Sequence, residues 1–427
     1  MRILYLSSDP GIDVAGSSGG SVHIRSLVRA FAATGNEVKL ISSRMSGVPS
    51  FGGNSAVTFQ EAAIALPNRL LAASIRTANS ILGRHPRHSP DLVRLLHNWT
   101  FRRAAEPIAR AFRPYVVYER YSLWGLSGWR LARQLGVPHV LEVNAPLAFE
   151  QQRRSGLTCP RLARRVETFI WRQADIVVTV SETLKQDLER AGASPLKIHV
   201  LPNAVDAALF HPDLDPVALR CQLGIDDCFV IGFAGTFKSW HGVDLLLDAF
   251  LDLRRNDPNV HLLLIGDGPL KAALEQRVKE AGAEESVTFA GAVAHEEVPQ
   301  YIAAMDIAVA PAPALHQFYF SPMKLFEYMA VGRPVVAARI GQMSGIVQDG
   351  ETGLLFPPGD RAGLYGAMRR LRIDDDLRFR LARNAVVAVK NRTWSQNAQE
   401  VLTWVVQHSL DRASSTPGVT EVLLRHD

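Results

Sequence analysis

Short apolar runs alternate with longer segments of helical period along most of the chain. Buried strands produce continuous apolar runs, and amphipathic helices produce apolar positions that recur every three to four residues. Strands are predicted at Arg2–Ser7, Glu37–Ile41, Tyr115–Tyr118, His139–Val143, Asp175–Val180, Lys197–Leu201, Phe229–Ala234, Val260–Ile265, Ser286–Phe289, Ile307–Ala310, Pro334–Ala337 and Gly353–Phe356. The pattern predicts an α/β protein with parallel sheets covered by helices.

The segment PNAVDAALFHPDLDP (Pro202–Pro216) interrupts this alternation with prolines and aspartates, and we interpret it as a link between two sheets. Ligands of such sheets bind outside the carboxyl ends of the strands, here in a cleft between the two domains. The predicted domains are 1–205, with a basic helical insertion at about 67–114, and 206–392. Residues 393–410 are expected to form a helix that packs back on the first domain, and 411–427 a flexible tail.

Composition narrows the class of protein. Apolar residues make up 47% of the chain, charged residues 21%, and the net charge is +5, which does not indicate nucleic-acid binding. The cysteines, Cys159, Cys221 and Cys228, have no metal-ligand spacing and are expected to be free thiols in a reducing compartment. No secretory signal and no apolar run of about 18 residues is evident in the sequence, so a cytoplasmic location is expected.

The region from Pro67 to Pro114 is rich in arginine. Two apolar faces are predicted on its helices, one of Leu71, Ile75, Ala78 and Leu82, the other of Leu92, Leu95, Leu96 and Trp99. Two interpretations are open: a solvated helical insertion packed on the first sheet, or a basic surface that meets anionic lipid or an anionic acceptor.

The strongest local motif is SPMKLFEYMAVGRPVV (Ser321–Val336). We predict a helix with Ser321 as its N-cap and Pro322 at its first position. Its free N–H groups and partial positive charge are typical of an anion site, to which Lys324 adds a charge. The N–H groups concerned are those of Met323, Lys324 and Leu325.

Glu327 lies further along the same predicted helix. A sugar diphosphate at the helix start would place its ribose roughly 7–8 Å along the axis, near this carboxylate. A carboxylate accepts hydrogen bonds from both ribose hydroxyls. The alternative is an ordinary capped helix with a surface glutamate.

Two glycine-containing loops that follow predicted strands are further phosphate candidates. In GTFKSWHGVDLLLDAF (Gly235–Phe250), Gly235 allows close backbone approach, while Lys238 and His241 supply side chains for a diphosphate. In the segment Asp9–Phe31, Gly19 and Gly20 open a helix that carries His23. The segment Asp9–Phe31 lacks the spacing of a dinucleotide fingerprint and the Lys-Ser/Thr of a P-loop. The alternatives are an ordinary strand–turn–helix for Gly235–Phe250 and a flexible surface loop for the glycines near the first strand.

Seven ordered pieces of the chain carry a resemblance to a known family. The chain resembles the retaining glycosyltransferase family 4, which has the GT-B fold of two Rossmann-like domains facing a central cleft. The pieces are GGSVHIRSLVRAFAATGNEVKLIS, ADIVVTVSETLKQDLERAG, KIHVLPNAVDAALFHP, FAGTFKSWHGVDLLLDAF, LLLIGDGPLKAALE, VTFAGAVAHEEVPQYIAAMDIAVAP and KLFEYMAVGRPVVA.

The resemblance implies roles for several residues. Glu327 matches the glutamate that holds the donor ribose, and Gly19 and Gly20 match the glycine loop beside the diphosphate. Lys238 and His241 lie where the family usually has an arginine and a lysine on the phosphates. Asn203 and Asp206 match a hallmark that we interpret as structural.

Two departures from the family pattern stand out. Thr236 occupies the position after the glycine where arginine is usual. Tyr319 replaces a second glutamate that the family often has near the transferred sugar, so the donor is not predicted from better-known members.

The resemblance also suggests how the reaction proceeds. Retention without a covalent intermediate is usually proposed for such enzymes, with the leaving diphosphate helping to deprotonate the acceptor. Lys238, His241 and the helix start would stabilise its charge without a metal or another cofactor. Glu142 and Asn144 occupy roughly the place of a catalytic or sugar-positioning histidine.

The neighbouring strand ends suggest how an acceptor is held. Glu119 and Arg120 are expected at the same strand ends as Glu142 and Asn144, with a buried structural network as the alternative for all four. His23 either contacts the acceptor or packs locally.

The sequence thus predicts transfer of a sugar from a UDP-, GDP- or dTDP-sugar, with retained configuration, to an acceptor held mainly by the first domain. The acceptor expected is a lipid-linked or surface-polysaccharide glycan, with peripheral membrane contact through the basic region. Alternatives are a nucleotide-sugar epimerase or sugar phosphorylase of the same fold, and a degenerate member that only binds nucleotide or scaffolds an assembly.

Overall fold

The computed structural model describes residues 1–51, 55–63, 91–154, 156–315 and 318–414, together with 68, 70, 71, 73, 74 and 77. The chain forms two compact units, one of Met1–Pro202 with Trp394–Asp427 and one of Asn203–Thr393. The division falls at 202/203 and 393/394, beside the predicted bounds of 205/206 and 392/393.

The N-terminal unit is built on a seven-stranded parallel sheet in the order β3-β2-β1-β4-β5-β6-β7. The strands are β1 Arg2–Ser7, β2 Glu37–Ser42, β3 Val57–Glu61, β4 Val116–Arg120, β5 His139–Val143, β6 Ile176–Thr179 and β7 Ile198–Val200. The helices are Gly19–Ala33, Asp91–Phe112, Ser127–Leu135, Leu147–Arg154, Pro160–Gln173, Glu182–Arg190 and Trp394–Ser414, with a 3-10 turn at Pro195–Lys197. The strand order reverses between β1 and β4, which is where an open parallel sheet binds ligands.

The C-terminal unit repeats this plan with a six-stranded parallel sheet in the order β10-β9-β8-β11-β12-β13. The strands are β8 Phe229–Ala234, β9 Val260–Ile265, β10 Val287–Gly291, β11 Ile307–Ala310, β12 Val335–Ala338 and β13 Gly353–Phe356. The helices are Val217–Leu223, Val243–Asn256, Lys271–Glu280, Val298–Ala303, Met323–Ala330, Met343–Ile346, Arg361–Ile373 and Asp375–Val389, with 3-10 turns at Ser239–His241 and Glu284–Ser286. The reversal lies between β8 and β11.

The predicted fold class is confirmed, and the predicted strands are found within two residues of their expected ends. The exception is β3, Val57–Glu61, which the sequence did not reveal. β3 is an edge strand in which only Val57 is buried. It therefore lacks the apolar run by which the other strands are recognised.

The predicted apolar face of the helix Asp91–Phe112 is buried only in part: Leu95 packs beside the buried Trp124, Ala148 and Ala163, and the Leu92 side chain lies outside what the structure describes. Leu96 and Trp99 are 37% and 48% exposed, and the Arg103 guanidinium lies 4.7 Å from the centre of the Trp99 ring. The buried positions recur every four residues instead, at Val93, His97, Phe101, Ala105 and Ala109. A buried polar residue, His97, hid this periodicity. Of the other predicted face, Ile75, Ala78 and Leu82 lie outside the described residues.

The C-terminal helix Trp394–Ser414 belongs to the N-terminal unit. The Asn397 amide donates a hydrogen bond to the Pro202 carbonyl (2.8 Å), and the Trp404 ring stacks on His199 with centroids 4.1 Å apart. Among the described residues, no helix has both the length and the apolar content needed to cross a membrane.

Candidate functional site

Glycines bring two loops of the C-terminal unit into contact where β8 and β9 end. Gly235 and Gly266 have φ values of 146° and 131°, and a Cβ on Gly266 would lie 2.0 Å from the Gly235 carbonyl oxygen. Side chains rarely adopt such φ values, so glycine is required here. The loop is closed by the Phe237 N–H, which donates to the Asp267 carbonyl at 2.9 Å. The Gly235 loop is therefore held in place by the backbone of residues 266 and 267.

The helix Met323–Ala330 begins beside this loop. Its cap is Pro322 in an extended conformation, and the Leu325 N–H donates back to the Pro322 carbonyl at 3.2 Å. Within the described chain, the N–H groups of Met323 and Lys324 have no hydrogen-bond partner. Two free donors at a helix start form a site for an anion.

Ser321 is not the helix cap that the sequence predicts. Its hydroxyl accepts a hydrogen bond from the Asn203 N–H (2.9 Å), and its carbonyl accepts one from the Asn203 amide (2.6 Å). Asp206 accepts from the Ala208 N–H at 3.1 Å. Asn203 and Ser321 therefore hold the segment that leads into the helix, rather than facing a ligand.

Tyr328 anchors the helix to the sheet. Its hydroxyl accepts from the Ala234 N–H (2.7 Å) and donates to the Ala234 carbonyl (3.3 Å), directly before Gly235. The helix start and the Gly235 loop are thus positioned by one buried side chain.

Lys324 carries the ammonium group of this site. Its Nζ lies 3.8 Å from the centre of the Phe233 ring, and a Cβ on Gly235 would approach it to 2.6 Å. Burial lowers the pKa of Lys324 to about 7, although the Glu327 carboxylate opposes the shift. No hydrogen bond or ion pair to this ammonium is found in the described part of the chain. A diphosphate would supply the missing partner and restore the charge.

His241 does not supply the positive charge that the sequence predicts. Burial, followed by the charge of Lys324, lowers the pKa of His241 to about 3, so the imidazole is neutral near pH 7. Its Nδ1 lies 2.7 Å from the Thr236 carbonyl oxygen, which places the proton on Nδ1 and a lone pair on Nε2. Lys238, whose Nζ lies 5.1 Å from the centre of the Trp240 ring, is the cation that this loop contributes, in addition to Lys324 on the helix.

Glu327 is neither solvated nor saturated with partners. Its side chain is 13% exposed, and its Oε1 lies 3.5 Å from Nε2 of His295. The His295 ring packs on Phe210, with centroids 5.4 Å apart. The carboxylate thus stands beside the anion site with acceptor capacity left for the hydroxyls of a ligand.

The position of the missing family glutamate is aromatic and buried. Tyr319 is 5% exposed, and its ring lies 4.5 Å from that of Phe320, which in turn is 5.4 Å from Phe318. No carboxylate replaces the missing one at this position of the chain.

In the N-terminal unit, the glycine loop precedes the helix Gly19–Ala33 as predicted. Ser18 caps the helix by accepting from the Ser21 N–H at 3.2 Å. The Arg25 guanidinium donates to the carbonyls of Val14 (2.7 Å) and Gly16 (2.6 Å). The loop is thus held by a buried arginine of the helix that it precedes.

Glu142 is the centre of a buried network at the end of β5. Its carboxylate accepts from the Tyr118 hydroxyl (2.6 Å) and the Arg120 guanidinium (2.5 Å), and it lies 2.9 Å from Nε2 of His23. The Asn144 amide donates to the same carboxylate. Burial alone would raise the pKa of Glu142, but His23, Arg120 and the hydrogen bonds outweigh it and hold this pKa well below its usual range.

Four predicted residues therefore converge: His23, Arg120, Glu142 and Asn144. Gly20 lies beside them, since a Cβ on it would be 3.8 Å from Nη2 of Arg120. Gly19, next to it, is exposed at the helix start.

Glu119 faces away from this network. Successive strand residues point to opposite sides of a sheet, so Glu119 lies across from its neighbours Tyr118 and Arg120. Its carboxylate accepts from the Gly128 N–H (3.0 Å) and lies 3.0 Å from Nε2 of His139, with 1% exposure. The prediction that Glu119 contacts an acceptor does not fit this enclosed position.

Sequence reasoning missed His295 and Arg25. His295 lies 32 residues before its partner Glu327, within one of the seven pieces that carry the family resemblance, but no role was assigned to it there. Arg25 was recognisable only as one more arginine on an amphipathic helix. Among the described residues, no group of three or more His, Cys, Asp or Glu side chains is arranged to hold a metal ion.

Two family models match the chain. Residues 17–209 match Glycosyltransferase Family 4, and residues 228–374 match Glycosyl transferases group 1. The matches fall in the N-terminal and the C-terminal unit respectively, apart from a few residues at the boundary.

Curated relatives include a D-inositol 3-phosphate glycosyltransferase of Stackebrandtia nassauensis, 30% identical over 67% of this chain and 67% of the relative. An alpha-D-kanosaminyltransferase of Streptomyces kanamyceticus is 27% identical over 65% of this chain and 68% of its own length. The two relatives differ in the reactions that their names describe.

Solved structures share the fold. The Anabaena protein HepE, solved in complex with UDP, is 20% identical with a TM-score of 0.71, covering 95% of this chain and 100% of the other. A sucrose-phosphate synthase of Thermosynechococcus elongatus is 22% identical with a TM-score of 0.74, covering 95% and 98%.

Proposed function

The chain belongs to glycosyltransferase family 4, and on that premise we propose that it transfers a sugar from a nucleotide diphosphate donor to a hydroxyl acceptor with retained anomeric configuration. The proposed donor is a UDP-, GDP- or dTDP-sugar. The binding of UDP by HepE, which shares the fold, makes UDP the first nucleotide to test.

The observation that carries the proposal is the unsatisfied chemistry at the start of the helix Met323–Ala330. Two free N–H groups and a lysine without an ion-pair partner in the described chain stand beside a carboxylate with spare acceptor capacity. A diphosphate fits the first set, and the ribose hydroxyls fit Glu327. Gly235, Met323, Leu325 and Lys324 would form the donor site, with Lys238 from the neighbouring loop.

The proposed chemistry needs positive charge where the diphosphate leaves. Lys238, Lys324 and the helix start supply it, and these groups substitute for a metal ion in the proposal. Neutral His241 is suited to accept a hydrogen bond from a hydroxyl through Nε2, rather than to neutralise a phosphate. The diphosphate then takes the acceptor proton as the new glycosidic bond forms and the old one breaks.

Glu142 acts as a positioning residue in this proposal. Its carboxylate is occupied by Tyr118, Arg120 and Asn144, so it orients Arg120 and Asn144 and does not react itself. Asn144 is half-buried, and its amide oxygen has no partner in the described chain. Gly19 and Gly20 would approach the donor with their backbone.

The acceptor is proposed to be a glycan, lipid-linked or part of a surface polymer, and the enzyme to work in the cytoplasm. Exposed Leu96 and Trp99, with Arg103 beside them, offer a basic and apolar patch for peripheral contact with an anionic membrane. Flotation with vesicles of anionic or neutral lipid measures this contact. Equal recovery with both would contradict it.

The test of the proposed function is incubation with UDP-, GDP- and dTDP-glucose and related sugars, with and without a glycan extract as acceptor. We expect release of one nucleoside diphosphate that accelerates with acceptor, is insensitive to EDTA, and gives a product with the donor's anomeric configuration by proton NMR. Absence of nucleotide binding and turnover across the panel would overturn the proposal.

A further inference from the structure

A polar pocket of about 100 Å³ lies in the N-terminal unit, at the carboxyl ends of β1, β4 and β5. The order of the sheet reverses between β1 and β4, so the pocket occupies the ligand position expected for such a sheet. A single water needs only about 10–15 Å³, so the pocket is larger than a hydration site. The described side chains that shape it include Asp9, Arg94, His97, Ser122, Glu150 and Gln151.

Asp9 and Arg94 line the pocket without pairing with each other. The Arg94 guanidinium has no hydrogen bond or ion pair to any described residue, whereas the Arg102 and Arg110 guanidinium groups on the same helix both bind Glu106. The Asp9 carboxylate accepts only the Gly11 N–H, at 2.8 Å, within the described chain. An unpaired donor and an unpaired acceptor lining one small pocket can be bridged by hydroxyl groups, which donate and accept.

Of the remaining groups, Glu150 adds a carboxylate, and the others make the pocket polar without adding charge. Nε2 of His97 lies 2.7 Å from Ser43 Oγ and 3.2 Å from the Ser8 carbonyl oxygen, and its buried Nδ1 has no partner among the described atoms. Burial lowers the pKa of His97, so the ring is neutral. Ser8 and Ser122 share a hydrogen bond of 2.7 Å, and Glu150 and Gln151 have interaction partners of their own.

We infer that this pocket is the acceptor subsite and that it binds the hydroxyl groups of an uncharged sugar or cyclitol ring, bridged between Asp9 and Arg94. The inference rests on the proposed function, since an acceptor has meaning only for a transferase. The charges of Asp9 and Arg94 cancel and Glu150 adds a negative charge, so a phosphate or carboxylate on the bound ring gains no net attraction. Phosphorylated rings are therefore expected to bind more weakly than neutral ones.

The experiment measures ring binding directly, without donor, by saturation-transfer difference NMR. The probes are methyl glycosides of common hexoses, myo-inositol, and the monophosphate of each. The variants are Arg94→Gln and Asp9→Asn, which keep side-chain size and, in Asp9→Asn, the oxygen that accepts from Gly11. Arg103→Gln is the matched control, because Arg103 is exposed on the same helix. UDP affinity and melting temperature are measured for every variant.

We expect at least one neutral ring to give saturation transfer, with affinity reduced about tenfold or more by Arg94→Gln and by Asp9→Asn, and unchanged by Arg103→Gln. UDP affinity should stay within about twofold in all variants. Equal loss in Arg103→Gln, no loss in Arg94→Gln, or preference for the monophosphates would overturn the subsite. If ring binding depends on Arg94 but the protein turns over no nucleotide sugar, the proposed function is rejected and the pocket remains a binding site for a neutral ring.

Discussion

Glu142, near the end of β5, and Glu327, on the helix Met323–Ala330, are carboxylates of different units, and they are surrounded in opposite ways. Glu142 is 2% exposed and is contacted by Tyr118, Arg120, Asn144 and His23. The Glu327 side chain is 13% exposed and has one polar contact among the described residues, with His295 at 3.5 Å. One carboxylate is satisfied within the protein, and the other keeps its acceptor capacity.

The difference separates two ways in which a carboxylate contributes to a site. A buried carboxylate with a full set of donors fixes the positions of those donors, and its loss leaves buried charges without partners. A partly exposed carboxylate with one long polar contact contributes little to the free energy of folding. It contributes much to the affinity for a ligand whose hydroxyl groups donate to it. The predictions below test that separation.

The largest effect is expected from Glu142→Ala. Removing this carboxylate leaves Arg120 and His23 buried without their partner, so the free energy of unfolding should fall by about 3–5 kcal/mol. Chemical denaturation followed by circular dichroism measures it. Glu61→Ala, on the exposed edge strand, is the control and should change stability by less than about 0.5 kcal/mol. A stable Glu142→Ala protein that has lost only transfer would make Glu142 a reacting group and break the comparison.

Glu327→Ala should weaken ligand binding and leave the stability of the protein nearly unchanged. The variant loses the hydrogen bonds that the ribose hydroxyls donate to this charged acceptor, so UDP binding should weaken by about ten- to a hundredfold, while the melting temperature stays near that of the parent protein. Isothermal titration calorimetry measures the affinity. Glu296→Ala, an exposed glutamate next to His295, is the matched control. A large fall in stability with unchanged UDP affinity would show that Glu327 belongs with Glu142 as a structural residue.

A smaller effect is expected from pH. The pKa of Lys324 is about 7 without ligand, and a bound diphosphate raises it. Below pH 7 the lysine is already charged, and above it binding must take up a proton, so UDP affinity should fall as pH rises from 7 to 9, by at most about tenfold per unit. Lys324→Met should bind UDP weakly and flatten this dependence. The control Lys279→Met, at an exposed position of the helix Lys271–Glu280, should retain it. A flat profile in the parent protein would contradict the role of Lys324.

Much of the fold could be predicted because buried strands produce continuous apolar runs in the sequence. The edge strand β3 could not, since four of its five residues are exposed. The buried stripe of the helix Asp91–Phe112 was not predicted because it includes the polar residue His97, whereas Leu96 and Trp99 are apolar but exposed.

The site could be predicted less completely. Motifs indicated the helix start and Glu327, but a pKa depends on burial that no motif reports. Neutral His241 and the weakly basic Lys324 were therefore beyond the sequence. Ser321 is a residue type that commonly caps helices, yet its hydroxyl accepts a hydrogen bond from the N–H of Asn203, which lies 118 residues away in the sequence. His295 contacts Glu327 only because the fold brings distant segments together.

The helix Trp394–Ser414 has a consequence for how the protein is made. It completes the N-terminal unit, so that unit is formed from both ends of the chain while the C-terminal unit is one continuous segment. During synthesis, the second unit can therefore finish folding before the first, which is completed only when Trp394–Ser414 has left the ribosome. Until then the His23 ring lacks its edge contact with Trp394, whose ring centre is 4.9 Å away in the folded protein. The helix Gly19–Ala33, which carries the His23 partner of Glu142, is not yet covered by Trp394–Ser414.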